Sequence, residues 1–307
     1  MKPLPNVAVL MSTYNGEKFI REQLNSIFSQ RDVNVTLFVR DDGSSDKTCA
    51  IIEEYRIKYP DVRFEKGSNL GVVGSFFRLM LLAGDGYDYY AFADQDDVWL
   101  DQKLIRSVLK MQSVTPDEPK MYYSRLEFVN ENLRHLGYSI IPTTSGFHNA
   151  LVQNQATGCT VVINTSARNC IVDRLPSWSL MHDWWCYLVV SAFGTVVYDD
   201  ESFIRYRKHG NNVTPSTPNF AIELYARTRR FLGEGNIPEK VTDQAREFLN
   251  LFGSQLSPEK RRLAEGFLEA RSRGILGRLR YATRMPVRRN TTVDNLIMRV
   301  LIVIGRF

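Results

Sequence analysis

The chain has 307 residues, of which 44% are hydrophobic and 24% charged, and these values are typical of a globular protein rather than a disordered or fibrous one. Its four cysteines, at positions 49, 159, 170 and 186, form no C-x-x-C pair, which excludes a zinc ribbon and a thioredoxin motif and favours a reducing compartment. The formal net charge of +5 arises at one end, because residues 271–307 hold nine arginines and a single acid. No apolar run approaches the ~18–20 residues that a membrane helix needs, so we expect a cytoplasmic protein.

Short β-rich runs alternate with helical patterns through the first half of the chain, which predicts an α/β layer with a mostly parallel sheet. In chain order the predicted strands are 6–11, 33–39, 62–65, 87–93, 120–129, 160–164, 195–198 and 202–206. The predicted helices among them are 17–30, one that passes through Tyr55, 71–82, 100–112 and 183–192. After Pro218 only amphipathic helix patterns follow, at 219–232, 238–252 and 257–271. We therefore predict an α/β domain at 1–215 and a helical extension at 216–307.

Two acidic turns each follow an apolar strand. Asp41 and Asp42 come after the second strand, and Asp94, Asp96 and Asp97 come after the fourth. In open α/β sheets ligands bind outside the carboxyl ends of the strands, so both turns should lie at one edge. Carboxylates this close repel one another unless a cation joins them, and Mg²⁺ is usually held by one or two carboxylates plus substrate phosphates. The turns predict a divalent-metal site for a diphosphate, and the alternative is a solvated turn at the start of the next helix.

The common nucleotide-binding motifs are missing from the sequence. It contains no G-x-x-x-x-G-K-[ST] segment, and no G-x-G-x-x-G segment follows the first strand. The first strand runs instead into Ser12, Thr13, Tyr14, Asn15 and Gly16. A tyrosine at this position could stack on a base, and the hydroxyls could donate hydrogen bonds to it.

The segments STYNG, RDDGSSDKT, NLGVVGSF, ADQDDVW, HDWW and YRKHGNN occur in this order between residues 7 and 212. As an ordered set they resemble the family 2 glycosyltransferases, and they are most similar to the bacterial rhamnosyltransferase-like branch that builds cell-surface polysaccharides. The resemblance implies the GT-A fold, a Rossmann-like, mostly parallel sheet flanked by helices. It also implies a metal-dependent, inverting enzyme of the hexosyltransferase type. That enzyme would move a sugar, with rhamnose one candidate, from a nucleoside-diphosphate sugar to a saccharide hydroxyl.

The resemblance implies a role for individual residues of the donor site. The residues assigned to the nucleotide and donor are Ser12, Thr13, Tyr14, Asp41, Asp42, Asn69, Gly71, Asp94, Gln95 and Arg207. In a UDP- or dTDP-sugar, the base would lie against Tyr14 and donate a hydrogen bond to Asp42, and the ribose would contact Asp94. Asp96 and His209 would hold the metal, Mn²⁺ or Mg²⁺, and an imidazole ligand favours manganese.

The resemblance also makes Asp183 the catalytic base. An acceptor hydroxyl has a pKa far above 7, so a positioned carboxylate must take its proton during the attack. The alternative is that Asp183 is only a helix N-terminal residue favoured by the helix dipole. The residues assigned to the acceptor are Trp184, Trp185, Thr157 and Gly158, with core packing as the alternative for at least one tryptophan. The Q-x-x-R-W motif of processive members is absent from the sequence, which disfavours a polymer synthase.

The last segment, residues 271–307, combines its arginines with apolar residues at helical spacing. This pattern is typical of a helix lying in the interface of an anionic bilayer, which would place the protein peripherally on the cytoplasmic face of the membrane beside a lipid-linked acceptor. The alternative is a helix pair that covers the core with its arginines in solvent. Nucleic acid is not an expected partner, because no recognition fold accompanies the arginines. Two other functions stay open at this point: a nucleotidyltransferase, and a non-catalytic membrane-associated protein that binds nucleotide sugars.

Overall fold

A computed structural model of the chain describes residues 3–114, 118–209 and 237–307. They fall into two compact units. The first consists of Met1–Ile141, Asn154–Leu175 and Met181–Lys208, and the second of Pro142–Gln153, Pro176–Leu180 and His209–Phe307. The predicted boundary near residue 215 and the predicted helix 219–232 lie outside the described residues.

The first unit contains two sheets and most of the predicted helices. Its strands are β1 (Asn6–Thr13), β2 (Asn34–Asp41), β3 (Val62–Lys66), β4 (Tyr89–Ala93), β5 (Val98–Trp99), β6 (Lys120–Ser124), β7 (Glu127–Val129), β8 (His135–Tyr138), β9 (Val162–Asn164), β10 (Thr195–Asp199) and β11 (Ile204–Arg207). The helices up to residue 193, one of which (α5) belongs to the second unit, are α1 (Ile20–Phe28), α2 (Thr48–Lys58), α3 (Gly71–Ala83), α4 (Lys103–Gln112), α5 (Phe147–Ala150), α6 (Thr165–Val172) and α7 (His182–Phe193).

The large sheet has seven strands in the order β10-β6-β9-β4-β1-β2-β3. The neighbouring pairs are parallel except at β9, which runs antiparallel to both β4 and β6. The mostly parallel sheet is therefore confirmed, with one reversed strand that the sequence pattern did not indicate. The second sheet has the order β5-β11-β7-β8.

The apolar runs form these strands because both faces of the large sheet are covered. In β1 the five residues from Val7 to Met11 are all fully buried, so the strand reads as a continuous hydrophobic run rather than an alternating one. The register pairs Thr13 with Asp41 and Met11 with Ala93. The turns that follow β1, β2 and β4 therefore emerge side by side at the carboxyl edge of the sheet.

The structure corrects the prediction of one strand over 120–129. Residues 120–124 form β6 in the large sheet, whereas residues 127–129 form β7 in the small sheet. Between them the backbone N–H of Arg125 bonds to the Asp199 carbonyl, while that of Leu126 bonds to the Ser139 hydroxyl, so the chain leaves one sheet for the other. The short helices α5 and α6 had no predicted counterpart.

The second unit is helical in its described part. After the gap its helices are α8 (Ile237–Phe252), α9 (Pro258–Glu269), α10 (Ile275–Thr283) and α11 (Thr292–Val303). Phe248 is fully buried and packs its ring against Phe147 of α5 and against Phe252. The helical extension and its helices at 238–252 and 257–271 agree with the prediction. In the described parts of the chain, every helix is too short or too polar to span a lipid bilayer.

Candidate active site

The turn after β1 is joined to the turn after β4 by a side chain. Gln95 accepts a hydrogen bond from the Tyr14 backbone N–H at 2.9 Å and donates to the Tyr14 carbonyl at 3.0 Å. A Cβ on Gly16 would lie only 2.3 Å from the Gln95 amide oxygen, so glycine permits this approach. The clamp leaves the Tyr14 ring 52% exposed at the sheet edge, where a base could stack on it. Gln95 was assigned to the donor, and the structure shows it holding the backbone of a donor-site residue.

Two aspartates stabilise the turn after β2 by accepting backbone hydrogen bonds. Asp41 is fully buried, and both its carboxylate oxygens accept from the Ser44 backbone N–H at 3.0 Å. Asp42 accepts from the backbone N–H groups of Leu70 at 2.7 Å and Gly71 at 2.8 Å. It also pairs with the buried Arg40 guanidinium. Asp42 therefore ties the turn after β2 to the loop that leads into α3.

That loop requires a glycine at its end. Gly71 has a φ of +71°, a conformation that costs L residues about 1 kcal/mol or more. Its N–H donates to Asp42 and also to the Asn69 side-chain oxygen at 2.9 Å, and Asn69 itself is exposed. Asn69 and Gly71 therefore lie next to Asp42, as expected for a loop beside the nucleotide. The contacts of Asp42, Asn69 and Gly71 with a base or phosphate stay predictions.

The turn after β4 concentrates negative charge. Asp94, Asp97 and Cys159 bring one potential ligand atom each within 4.8 Å of one another. Burial, then the charges of Asp96 and Asp183, raises the pKa of Asp94 to about 7. Burial, then the charges of Asp96 and Asp94, raises the pKa of Asp97 well above its ordinary value. The Asp97 Oδ2 atom is buried, and the described part of the chain gives it no hydrogen-bond partner.

These features fit a divalent cation bound by oxygen. Two closely spaced carboxylates, one of which has an oxygen without a hydrogen-bond partner, are suited to a hard cation such as Mg²⁺ or Mn²⁺. Burial raises the pKa of the Cys159 thiol, which therefore keeps its proton beside the two carboxylates. Cys159 is therefore better described as a protonated neighbour than as a ligand. The structure thus gathers Asp94 and Asp97, whereas the sequence analysis chose Asp96 and His209.

The two predicted metal ligands belong to different compact units. Asp96 is half-buried in the same turn, two residues after Asp94 and directly before Asp97. His209 belongs to the other compact unit, so its part in a metal site stays a prediction.

The acidic turn is supported by Arg207, which is 1% exposed. Its backbone N–H donates to Asp97 Oδ1 at 3.1 Å, and its Nε donates to the Asp96 carbonyl at 2.9 Å. Its other guanidinium nitrogens bond to the Glu131 carbonyl and, at 2.8 Å, to the Glu22 carboxylate. This corrects the assignment of Arg207 to the leaving diphosphate: all three guanidinium nitrogens are engaged inside the protein, and the residue positions the turn.

Sequence reasoning missed a second buried cation, Lys103 on α4. Its side chain is 1% exposed, and its Nζ lies 3.8 Å from the centre of the Trp99 ring. Burial lowers the pKa of this ammonium to about 8, against the raising influence of Cys159 and Asp97. Within the described residues the ammonium has no hydrogen-bond partner. The sequence held one signal for a buried lysine: Lys103 lies on the apolar face of the amphipathic helix α4, where a lysine is unexpected.

Asp183 lies in the first turn of α7 and is 5% exposed. Its Oδ1 accepts from the Asn154 amide at 3.0 Å and from the Trp184 N–H at 2.6 Å, and its Oδ2 accepts from the Gly158 N–H at 2.8 Å. Burial raises its pKa to about 6 although these hydrogen bonds favour the charged form. The carboxylate is therefore ionised at neutral pH, and it binds a proton more readily than an ordinary aspartate.

The neighbours of Asp183 close the site on one side. His182 is buried and stacks on Phe76 with a centroid distance of 3.8 Å, and burial lowers its pKa to about 3, so it carries no charge. A Cβ on Gly158 would lie 3.0 Å from His182 Nε2, which explains a glycine there. Thr157 and Trp184 are half-buried near this loop. Trp185 is fully buried in the core, which corrects its assignment to the acceptor.

Comparison with known proteins identifies the family of the N-terminal part of the chain. Residues 8–148 match the family model of glycosyl transferase family 2. The chain contains a family 2 glycosyltransferase domain. The glycosyltransferase is 29% identical over 227 residues to the dTDP-rhamnosyl transferase RfbG of Shigella flexneri, covering 68% of this chain and 75% of the relative. It is also 29% identical over 167 residues to an Escherichia coli relative, covering 53% of this chain and 62% of the other. That relative is the UDP-Glc:alpha-D-GlcNAc-diphosphoundecaprenol beta-1,3-glucosyltransferase WfgD.

Solved structures show that the glycosyltransferase has the GT-A fold. S. aureus TarS in complex with UDP aligns with a TM-score of 0.57 at 16% identity, covering 98% of this chain and 80% of the other. The mannosyltransferase PcManGT from Pyrobaculum calidifontis, in complex with GDP-Man and Mn²⁺, aligns with a TM-score of 0.52 at 14% identity, covering 99% and 86%. The expected fold and enzyme class are confirmed.

Proposed function

We propose that this glycosyltransferase moves a sugar from a nucleoside-diphosphate sugar to a hydroxyl of a saccharide acceptor, with inversion at the anomeric carbon. The observation that carries the proposal is Asp183, a buried carboxylate with a pKa raised to about 6 that is electrostatically coupled to Asp94 of the acidic turn. This interaction supports a proton acceptor close to the residues that would hold the diphosphate. A nucleotidyltransferase would have no use for it.

The chain's own residues have distinct parts in the reaction. Asp183 accepts the proton of the acceptor hydroxyl while the hydroxyl oxygen attacks C1 of the donor sugar. The bond from C1 to the diphosphate breaks on the opposite side. The N–H groups of Gly158 and Trp184 and the Asn154 amide hold the carboxylate in one orientation. Because this single displacement uses no carboxylate nucleophile, the configuration at C1 inverts.

Asp94 and Asp97 would hold a divalent cation, with Asp96 beside them and His209 as a further candidate ligand. When bound, the cation neutralises charge on the leaving diphosphate. Arg207 and Lys103 act through these acids: Arg207 fixes the turn by hydrogen bonds, and Lys103 supplies positive charge beneath it. Tyr14, Ser12, Thr13 and the Asp42 loop would receive the nucleotide.

The donor and acceptor are proposed from the relatives. A dTDP- or UDP-sugar is the first candidate donor, with rhamnose first among the sugars, because the Shigella relative is named a dTDP-rhamnosyl transferase. A lipid-linked saccharide is the candidate acceptor, because the Escherichia coli relative is named for a diphosphoundecaprenol substrate. Such an acceptor would place the enzyme in the cytoplasm, at the inner surface of the membrane.

A thermal-shift panel of nucleotide sugars, each with and without Mn²⁺, tests the donor site. A ligand present at a hundred times its dissociation constant stabilises the folded state by about 2.7 kcal/mol, which is readily measured as a rise in melting temperature. We expect at least one nucleotide sugar to stabilise the protein more with Mn²⁺ than without it, with sugars lacking a nucleotide as controls. If no nucleotide sugar stabilises the protein under either condition, the proposal is wrong.

A further inference from the structure

The last two helices present one apolar stripe to the interior of their unit. The buried members of this stripe are Tyr281, Ala282, Met298, Leu301 and Ile302. In α11 their spacing of three and four residues places them on one face, and α10 and α11 pack against each other. This part of the basic segment therefore covers a core, as one of the two sequence-based alternatives predicts.

A second apolar stripe lies on the outside of the same pair. Its members are Ile275 (66% exposed), Leu276 (80%), Leu279 (50%), Leu296 (62%), Val300 (52%) and Ile304 (52%). Between the helices lies a shallow groove of about 270 Å³, lined largely by apolar atoms of Leu279, Ala282, Val300 and Ile304. A helix pair that only covered a core would carry polar residues here, so the alternative of a simple solvated face does not account for this stripe. We call the outer side of residues 275–306 the basic hairpin face.

The charge on the basic hairpin face has one sign. Its exposed arginines are Arg280, Arg284, Arg288, Arg299 and Arg306. The one acid between residues 271 and 307 is Asp294, which is 4% exposed near the start of α11. The face therefore combines large apolar side chains with uncompensated positive charge.

We propose that the basic hairpin face docks on an anionic lipid bilayer, with α10 and α11 lying in the plane of the headgroups. Leucine, isoleucine and valine side chains would enter the boundary with the acyl chains, and the arginines would meet the lipid phosphates. Nucleic acid would use the arginines but leave the apolar stripe in water. A second copy of the chain would cover the stripe but bring like charges together. The anionic bilayer accounts for both features, and this inference does not depend on the proposed reaction.

Cosedimentation of the full-length protein with vesicles tests the face. Vesicles of phosphatidylcholine with phosphatidylglycerol should bind it, and vesicles of phosphatidylcholine alone should bind it far less. Binding should weaken as salt rises from about 0.1 M to about 1 M, because the Debye length falls from ~10 Å to ~3 Å.

Two sets of substitutions separate the contributions of charge and apolar surface. The charge variant combines Arg280→Gln, Arg284→Gln and Arg299→Gln. Since each arginine near an anionic surface strengthens partitioning about fivefold, the variant should partition about 100-fold less well at low salt. The apolar variant combines Leu276→Ser, Leu296→Ser and Val300→Ser, and it should lose at least ~10-fold at every salt concentration.

A control variant carries apolar-to-serine changes on exposed residues of the first unit. Ile57 is 85% exposed and Leu109 is 57% exposed, so Ile57→Ser with Leu109→Ser removes exposed apolar surface elsewhere. This control should bind vesicles as the parent protein does. Unchanged thermal melting and donor binding in all variants would show that each one folds, and would separate membrane docking from the reaction.

Three results would overturn the proposal. The parent protein could ignore anionic vesicles at low salt. The charge and apolar variants could bind as well as the control variant does. Sedimentation velocity could show a dimer of the parent protein that the apolar variant converts to monomers without any vesicle binding, which would assign the face to self-association.

Discussion

Replacing Asp183 with asparagine removes the proposed proton acceptor and keeps the shape of the side chain. General-base catalysis typically contributes 10²–10⁴-fold, so we expect Asp183→Asn to lower transfer by at least ~10²-fold. Donor binding should stay close to that of the parent enzyme, because the nucleotide is assigned to other turns. A glycosyltransfer assay with saturating donor measures the first effect, and calorimetric titration of the nucleotide measures the second.

The same substitution should change stability in a way that depends on pH. Burial raises the pKa of Asp183 from 3.8 to about 6, a difference worth about 3 kcal/mol against the charged form. Because the folded-state pKa is the higher one, the parent protein has this stability at low pH and loses it as pH rises through about 6. The asparagine amide cannot ionise and has no such loss.

A second effect is independent of pH. Asp183 Oδ2 accepts a hydrogen bond from the Gly158 N–H, and an asparagine NH₂ group in its place would leave that donor unsatisfied. The expected cost is about 1–3 kcal/mol. The variant should thus be less stable than the parent below about pH 4, and should gain about 3 kcal/mol relative to it by about pH 7.

Urea unfolding without divalent metal, repeated across this pH range, measures the difference. Asp200→Asn is the matched control, because Asp200 is exposed and its replacement should leave the pH dependence unchanged. Full transfer by Asp183→Asn would refute its role as the base. A stability difference that does not vary with pH would refute the explanation of its pKa by burial.

Two further substitutions test the acidic turn. Asp94→Ala should abolish metal-dependent binding of UDP or dTDP in calorimetric titration, whereas Asp85→Ala, an exposed control, should not; unchanged affinity with the same metal response would contradict the metal assignment. Burial lowers the pKa of Lys103 from 10.5 to about 8, so the buried charge costs about 3 kcal/mol of folding stability at pH 7. Lys103→Met should remove this cost but lose about 1–2 kcal/mol of contact with the Trp99 ring. The variant should therefore be more stable than the parent protein by about 1–2 kcal/mol at pH 7. Because the folded-state pKa is the lower one, this gain should shrink as pH rises from about 8 towards 10.5; a constant gain in urea unfolding would contradict it.

The sequence predicts the frame of the active site well, for a physical reason. Buried parallel strands must be continuous apolar runs, so Asn6–Thr13 and Tyr89–Ala93 stand out, and the polar turns that follow them must meet at one edge. The reversed direction of β9 had no such signal, because a strand of only three residues fits either direction.

The contacts that hold the site could not be predicted, because they join residues far apart in the chain. Gln95 bonds to Tyr14 across 81 positions, and Arg207 bonds to Glu22 across 185. A motif assigns a residue to a site but not the direction in which its side chain points. For this reason Arg207 and Trp185 were assigned to ligands although the fold buries both, and Lys103 was missed.

Similar reasoning explains the mixed outcome for the basic segment. Helical spacing predicts an apolar stripe, but the sequence does not show whether that stripe faces the core or the solvent. The structure resolves two stripes on the same helix: Met298 is buried and Leu296 is 62% exposed, two positions apart. The alternative of a core-covering helix pair therefore describes one side of this segment, and the membrane interface stays a proposal for the other side.

The anomeric configuration of the product is the most direct test of the central claim. The enzyme would be incubated with a nucleotide sugar that the thermal-shift panel selects and with a saccharide acceptor, and the new linkage would be examined by NMR. A single displacement assisted by Asp183 predicts that the configuration at C1 is opposite to that in the donor. A product with the donor's configuration would contradict the mechanism, because it would require a second displacement that Asp183 acting as a base does not provide.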